Sequence, residues 1–264
     1  VVRYLRFYLG FVREALKTRM ADPGDFWIEV VSIILYQGLG LVFLSVIFGH
    51  VTELAGWNFS EVLFVFGTFQ VVTALFYLFF AWTLWFSDIN LLRRRLDVIL
   101  ARPLPPFLQV MAEGAGQSLS EVSGVALGVG ILVYATRGLA WQPTVGELAF
   151  FVLGLLAGLL ILGGLFVTLA MLGFWAKATS SAATPLMEIL EFAQYPLSIY
   201  SPWLRWVFTF ALPIGFVAFW PSTVVLREAG TRWFVPAFLW AVGIWTLALF
   251  LWRRGLRRYE SAGS

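Results

Sequence analysis

The run FVLGLLAGLLILGGLFVTLAML, Phe151 to Leu172, is twenty-two residues without a charge or a side-chain amide. Wound into a helix it is apolar on every face, so it has no side to present to water. About 20 such residues in helical form cross the hydrocarbon core of a bilayer. A membrane barrel would instead alternate polar and apolar positions over roughly 10 residues per strand. Comparable runs recur along the chain, and the composition agrees: 60% of its 264 residues are hydrophobic, 12% are charged, and mean hydropathy is +0.85. Soluble domains carry about a quarter charged residues. The fold class is therefore all-α, a polytopic membrane protein read as a single transmembrane domain over residues 1–264.

The pattern along the chain predicts an N-terminal amphipathic interfacial helix over 3–22. Leu5, Leu9, Val12, Leu16 and Met20 recur at three- and four-residue steps, and Arg6, Arg13 and Lys17 take another face. The opening residues alternate basic and apolar types, which argues against a cleaved signal. Spans are expected at 26–48, 61–86, 119–135, 148–175 and 233–252. Between 175 and 233 two stretches compete for a further crossing. Residues 184–200 are only moderately apolar; residues 203–221 are strongly apolar but interrupted by Pro213. Either choice gives six transmembrane helices and puts both termini on one side.

Basic residues say which side, because loops rich in Lys and Arg stay in the cytoplasm. Fourteen of the eighteen Lys and Arg lie in the N-terminal helix, the 87–117 loop, at Lys177 or in the tail after Trp252. Both termini are therefore expected to be cytoplasmic. The same clustering at span ends favours membrane lipid over nucleic acid as the partner of the basic excess.

Several chemistries are disfavoured. There is no Cys, and His50 is the only His, so thiolate catalysis and Cys/His metal sites have no ligand set. No nucleophile is accompanied by a base, and no Gly-rich phosphate loop ending in Lys precedes Ser or Thr. Ion-coupled carriers keep ionisable groups deep in their spans. Here Glu29, Glu61, Glu121 and Glu147 all fall near expected span ends. Gly124 with Gly128, and Gly154 with Gly158, let helix backbones approach within the bundle. Trp27, Trp85, Trp141, Trp175, Trp233 and Trp252 fall near span ends, as interfacial anchors do.

Two irregular pieces remain. Within 90–110, the stretch LDVILARPLPPFLQ brings Asp97 and Arg102 onto a short helical turn, and Pro103, Pro105 and Pro106 then halt it. A long connection of this kind in a compact chain is commonly functional. The second piece holds Tyr195-Pro196-Leu197 and Tyr200, then Trp203-Leu204-Arg205-Trp206 and Leu212-Pro213.

Leu96, Asp97, Leu100, Arg102, Pro103, Leu104, Pro105 and Gln109, together with that second piece, resemble the permease subunits of type-two ABC exporters, in particular a bacterial permease subgroup. The resemblance runs over most of the chain. It implies that the 90–110 segment is a coupling element docked on separate ABC ATPase subunits, with the N-terminal helix as a second contact. ATP and Mg would be bound by that partner, with no cofactor in this chain. It implies a second permease chain, identical or homologous, and a place in a bacterial inner membrane. It also makes 184–200 a short fifth span and turns the Trp203, Arg205, Trp206 and Pro213 stretch into an outer-leaflet re-entrant hairpin. Glu188, Glu191, Gln194 and Tyr195 would then line the translocation path. The rival readings are a self-contained channel or secondary carrier and an intramembrane enzyme.

Overall fold

The computed structural model describes residues 23–93, 95–115, 118–139, 143–176, 179–227 and 230–259, together with residues 10 and 17. The helix expected over 3–22, Trp141 and Lys177 therefore lie outside the described residues, residues 10 and 17 excepted. Among the described residues the chain is almost wholly helical and has no strand beyond a single bridge between Leu54 and Trp57.

Among the described residues four helices are long and apolar enough to cross a membrane: α1 (Pro23–Phe48), α2 (Phe59–Phe80), α7 (Val145–Met171) with a one-turn extension to Phe174, and α11 (Phe234–Arg258). A fifth apolar helix, α6 (Glu121–Thr136), is shorter. Between α2 and α6 run α3 (Trp82–Phe86), a wide turn at Ser87–Leu92, α4 (Arg95–Leu100) and α5 (Pro106–Ala115). Between α7 and α11 lie α8 (Thr179–Leu190), α9 (Pro202–Trp206) and α10 (Phe219–Leu226), joined by single helical turns and bends.

Capping chemistry sets where two of the long helices begin. Asn58 and Glu61 form a reciprocal capping box at the start of α2, and Thr144 and Glu147 do the same for α7. Each box satisfies backbone donors that the first turn would otherwise leave unpaired. Ahead of Asn58, the chain reverses through Ala55 and Gly56, both at positive φ (50° and 78°), between paired Leu54 and Trp57. That is the geometry of a two-residue hairpin turn.

The core is built on α2. Phe64, Phe66, Phe69 and Phe76 are fully buried in it, whereas α1 and α11 leave most of their apolar side chains on the outside. For helices that face lipid, this exposure involves no contact with water. α6 lies antiparallel on α2. A Cβ at Gly128 would stand 2.9 Å from the Val71 backbone nitrogen, and one at Gly124 would stand 3.1 Å from the Ala74 Cβ. The first glycine pair is therefore spent on packing within the chain. The second pair has an unexpected partner. Gly154 faces Pro221, and a Cβ at Gly158 would come within 2.5 Å of the Phe216 carbonyl oxygen. These two glycines seat the interrupted segment between α9 and α10.

That segment is not one continuous helix over 203–221. The helix begun at Pro202 ends at Ala211, Leu212 and Pro213 leave helical geometry, and α10 starts at Phe219. Proline lacks the N–H needed to carry a helix through. The tryptophans also divide. Trp27 and Trp85 are exposed at 62% and 52%, as anchors are, but Trp252 is 6% exposed because α11 continues past it to Arg258.

Candidate functional site

Three neighbourhoods carry the residues of interest. In the first, α4 and α5 fold back on one another around the proline turn. Leu96 and Ile99 on α4 and Val110 and Ala112 on α5 are buried between the helices and the bundle. Gln109 holds the fold closed: its Nε2 donates to the Ile99 carbonyl at 3.0 Å and to the Leu104 carbonyl at 2.9 Å. One side chain thus supplies a donor to the last turn of α4 and another to the bend. Leu100, Arg102, Pro103 and Pro105 are exposed around the tip, and Asp97 and Leu104 are half-buried. Of the eight residues read as the coupling element, Leu96 and Gln109 are interior and shape it, while the tip residues are accessible.

The hairpin is fixed to the bundle by aromatic side chains. Phe107 on α5 packs edge-on against Trp252 of α11 (5.5 Å between ring centroids) and Trp82 of α3 (6.0 Å). Phe86 contacts Phe174 at the end of α7 (5.9 Å) and Trp252 (6.0 Å), and Phe174 also meets Tyr259 (6.5 Å). Offset and edge-on ring pairs add about 0.5–1.5 kcal/mol each beyond the area they bury. Proline and charge in 96–106 drew attention from sequence. The knot that anchors them did not, because its members are scattered over four helices.

The second neighbourhood is a cavity among α1, α2, α6 and α8. Glu191, just past α8, accepts from the Tyr36 hydroxyl at 2.7 Å and from Gln194 Nε2 at 3.0 Å. Tyr195 follows, half-buried, with its ring 6.5 Å from that of Phe43. Glu188 sits on the exposed side of α8. The structure therefore brings Glu191 and Gln194 together with Tyr36 and leaves Glu188 apart. Gln70, Thr73 and Tyr77 of α2 line the same space. Their spacing of three and four residues on an otherwise apolar helix was the available signal for this face. Among the described residues no group of His, Asp and Glu is arranged to hold a metal ion.

The third neighbourhood is the interrupted segment. Arg205 donates to the carbonyls of Leu197 (3.3 Å) and Ser198 (3.1 Å), tying α9 to the turn before it. Trp203 and Trp206 point outward at 66% and 60% exposure, and Pro213 is buried at the break. At its other end, Arg227 pairs with Glu61 (3.0 Å), donates to the Gly56 carbonyl (2.8 Å) and covers the Trp57 ring (4.7 Å).

Helices of membrane-crossing length packed around a lined cavity define a polytopic membrane protein. More particularly, the chain belongs to the ABC-2 family of transporter proteins, whose family model matches residues 34–263. The match takes in the hairpin, the cavity helices and the interrupted segment. No curated protein and no solved structure matches the chain.

Proposed function

We propose that this chain is the permease subunit of an ATP-driven exporter in a bacterial inner membrane, paired with a second permease chain above two separate ATPase subunits that bind ATP and Mg. The observation that carries the reading is the α4–α5 hairpin. It is stapled internally by Gln109, anchored by Phe107 to the knot that holds the ends of α7 and α11, and offers Leu100, Arg102, Pro103 and Pro105 outward. An element that takes a push from a motor must not bend before it moves the spans, and this one is bonded at both ends.

In the same reading, α8 and its extension to Gln194 make the fifth of six crossings, at about 26 Å of helical rise. The segment from Pro202 to Leu226 enters from the outer side and returns. Its deepest backbone contact, Phe216 on Gly158, lies about 20 Å along α7 from the helix start. Backbone broken at that depth is tolerated where protein covers it; Ile214, Gly215 and Phe216 are buried. Both termini lie in the cytoplasm.

The experiment replaces Asp97 and Arg102 together in the assembled transporter. Loss of ATP-driven transport with membrane insertion and expression intact is the expected result; undiminished transport overturns the coupling role. A cysteine at Trp206 should react with an impermeant thiol reagent from outside. Labelling only from inside would replace the hairpin by a different topology.

A further inference from the structure

We infer that the cavity beside Glu191 binds an organic cation, an amine or quaternary ammonium carrying an apolar body, taken up from the cytoplasmic side of the membrane. The inference rests on the transport reading for calling that cation a substrate.

The cavity of about 300 Å³ is lined by Tyr36, Gln37, Gln70, Tyr77, Glu121 and Glu191 among others. Most of its donors are already engaged. The Tyr36 hydroxyl is given to Glu191 and the Tyr77 hydroxyl to the Met187 sulfur at 3.6 Å. Thr73 donates to the Phe69 carbonyl at 2.8 Å, and Gln37 Nε2 turns toward the Gly124 carbonyl at 3.4 Å. Gln70, like Gln37, brings an amide with both functions.

What the cavity has in excess is acceptors. Glu191 holds a carboxylate ordered by two neutral donors, and no described Lys or Arg lines the space around it. Glu121 adds a second carboxylate to the wall. Glu191 and Glu121 are both half-buried, and a carboxylate partly withdrawn from water is favoured by a cation beside it. Carboxylate oxygens beside aromatic rings are the chemistry that recognises ammonium groups.

The space is larger than a bare inorganic ion fills. The cavity adjoins a second one of about 460 Å³ through shared walls at Ser32, Ile33, Tyr77 and Glu121. That second space is lined by Ile28, Trp82 and Trp85, and also by Glu29, whose carboxylate accepts from Ser120 at 2.7 Å. A route with apolar and indole walls and carboxylates along one side fits a charged head with an apolar body. Small-molecule pockets run from roughly 300 to 1,000 Å³, so each space suits part of such a ligand.

The test uses the purified full chain in phosphatidylcholine nanodiscs, with empty nanodiscs as the background for partitioning. Dodecyltrimethylammonium should bind saturably above background, while dodecyl sulfate, with the same tail and opposite charge, should only partition. Glu191→Gln should weaken dodecyltrimethylammonium binding by about tenfold or more at unchanged thermal unfolding, and Glu121→Gln should weaken it in the same direction. Tetramethylammonium should compete, and sodium at equal concentration should not. Equal saturable binding of both tails, no effect of either substitution, or displacement by sodium as effective as by tetramethylammonium overturns the inference. Binding requires no ATPase, so it can stand or fall separately from the coupling role, which is read from transport in the Asp97 and Arg102 variant.

Discussion

Gln109 offers the sharpest test of the idea that the hairpin is a stiff unit. Replacing it by leucine keeps the volume and removes both donors. The buried Ile99 carbonyl then loses its shorter partner and keeps only the Arg102 amide at 3.3 Å, at a cost of about 1–2 kcal/mol. The Leu104 carbonyl belongs to a half-buried bend and can recruit water, so its loss is about 1 kcal/mol or less. One term runs the other way, because Gln109 Oε1 has no described partner and leucine removes that buried acceptor. The net cost for Gln109→Leu is about 1–3 kcal/mol, confined to 95–109. Glutamate at this position is worse despite its matching shape, since a carboxylate would face two carbonyl oxygens with no donor. Hydrogen exchange reads this directly. The amides of Ala101, Arg102 and Leu104, bonded to Asp97, Ile99 and Arg102 carbonyls, should exchange about 10- to 100-fold faster in Gln109→Leu, and faster still in Gln109→Glu. Amides in α2 should be unchanged. Equal protection in the wild type and Gln109→Leu, or in the two variants, would refute the staple.

Substitutions at Gly158, Phe107 and Arg227 probe the connections around it. Gly158→Ala forces a methyl group against the Phe216 carbonyl and the Val217 Cα, both backbone, and should lower thermal stability by about 1–3 kcal/mol. Gly130→Ala, which opens onto free space, should be silent; equal melting of the two refutes the seat. Phe107→Ala removes contacts to Trp82, Trp245 and Trp252 from a half-buried position, so about 2–4 kcal/mol and a loss of protection in α5 are expected, and retained α5 protection would argue against the knot. Arg227→Ala ends the contacts to Glu61, Gly56 and Trp57. Because the side chain is 45% exposed, the effect should be near 1 kcal/mol, seen as several-fold faster exchange in 54–58 and reduced by Arg227→Lys only in part.

The sequence makes the long spans legible because lipid accepts only helices that satisfy their own backbone and are apolar on all sides. Residues 151–172 need no partner to be read that way. The short elements were harder, and for a physical reason. α8 is only moderately apolar because it carries Thr, Ser, Pro and Glu among its twelve residues and packs on α3 and α7 beside a partly polar cavity, so no continuous apolar stripe marks it. Apolarity over 203–221 suggested a span, yet the local chemistry of Leu212 and Pro213 decides that no single helix forms. The glycine spacing at 154 and 158 indicated close packing and gave no hint of its partner. That partner is Phe216 and Pro221, some sixty residues on, and such a pairing is fixed only by the fold. Within the candidate site, Glu191 and Gln194 were reached only through the family resemblance, which placed them on the path with Glu188 and Tyr195, while Tyr36 and Gln37 were hidden in a run that otherwise reads as lipid-facing.

The contacts also define how a push at the hairpin would travel in the proposed machine. Phe107 and Phe86 bind the hairpin to Phe174 and Trp252, so it is joined to the ends of α7 and α11 at once. Those two helices are locked to one another farther along by Trp245, whose Nε1 donates to the Leu160 carbonyl at 2.9 Å, and by Gly164 beneath Ile244. They therefore move as one body. α7 carries the Gly154 and Gly158 seat, so displacement of that body reaches Phe216 and Pro221 without passing through α1 or α6. The far end of the interrupted segment is held to the other body, α2, by Arg227 on Glu61 and by Ser222 on Thr68 at 3.0 Å. α2 and α7 also pack directly, Phe64 on Phe151 (5.3 Å between ring centroids) and Phe76 on Phe166 (4.8 Å), so in the proposed machine any sliding at that contact is met, between Pro213 and Arg227, by a segment tied to both helices whose own helix is already broken.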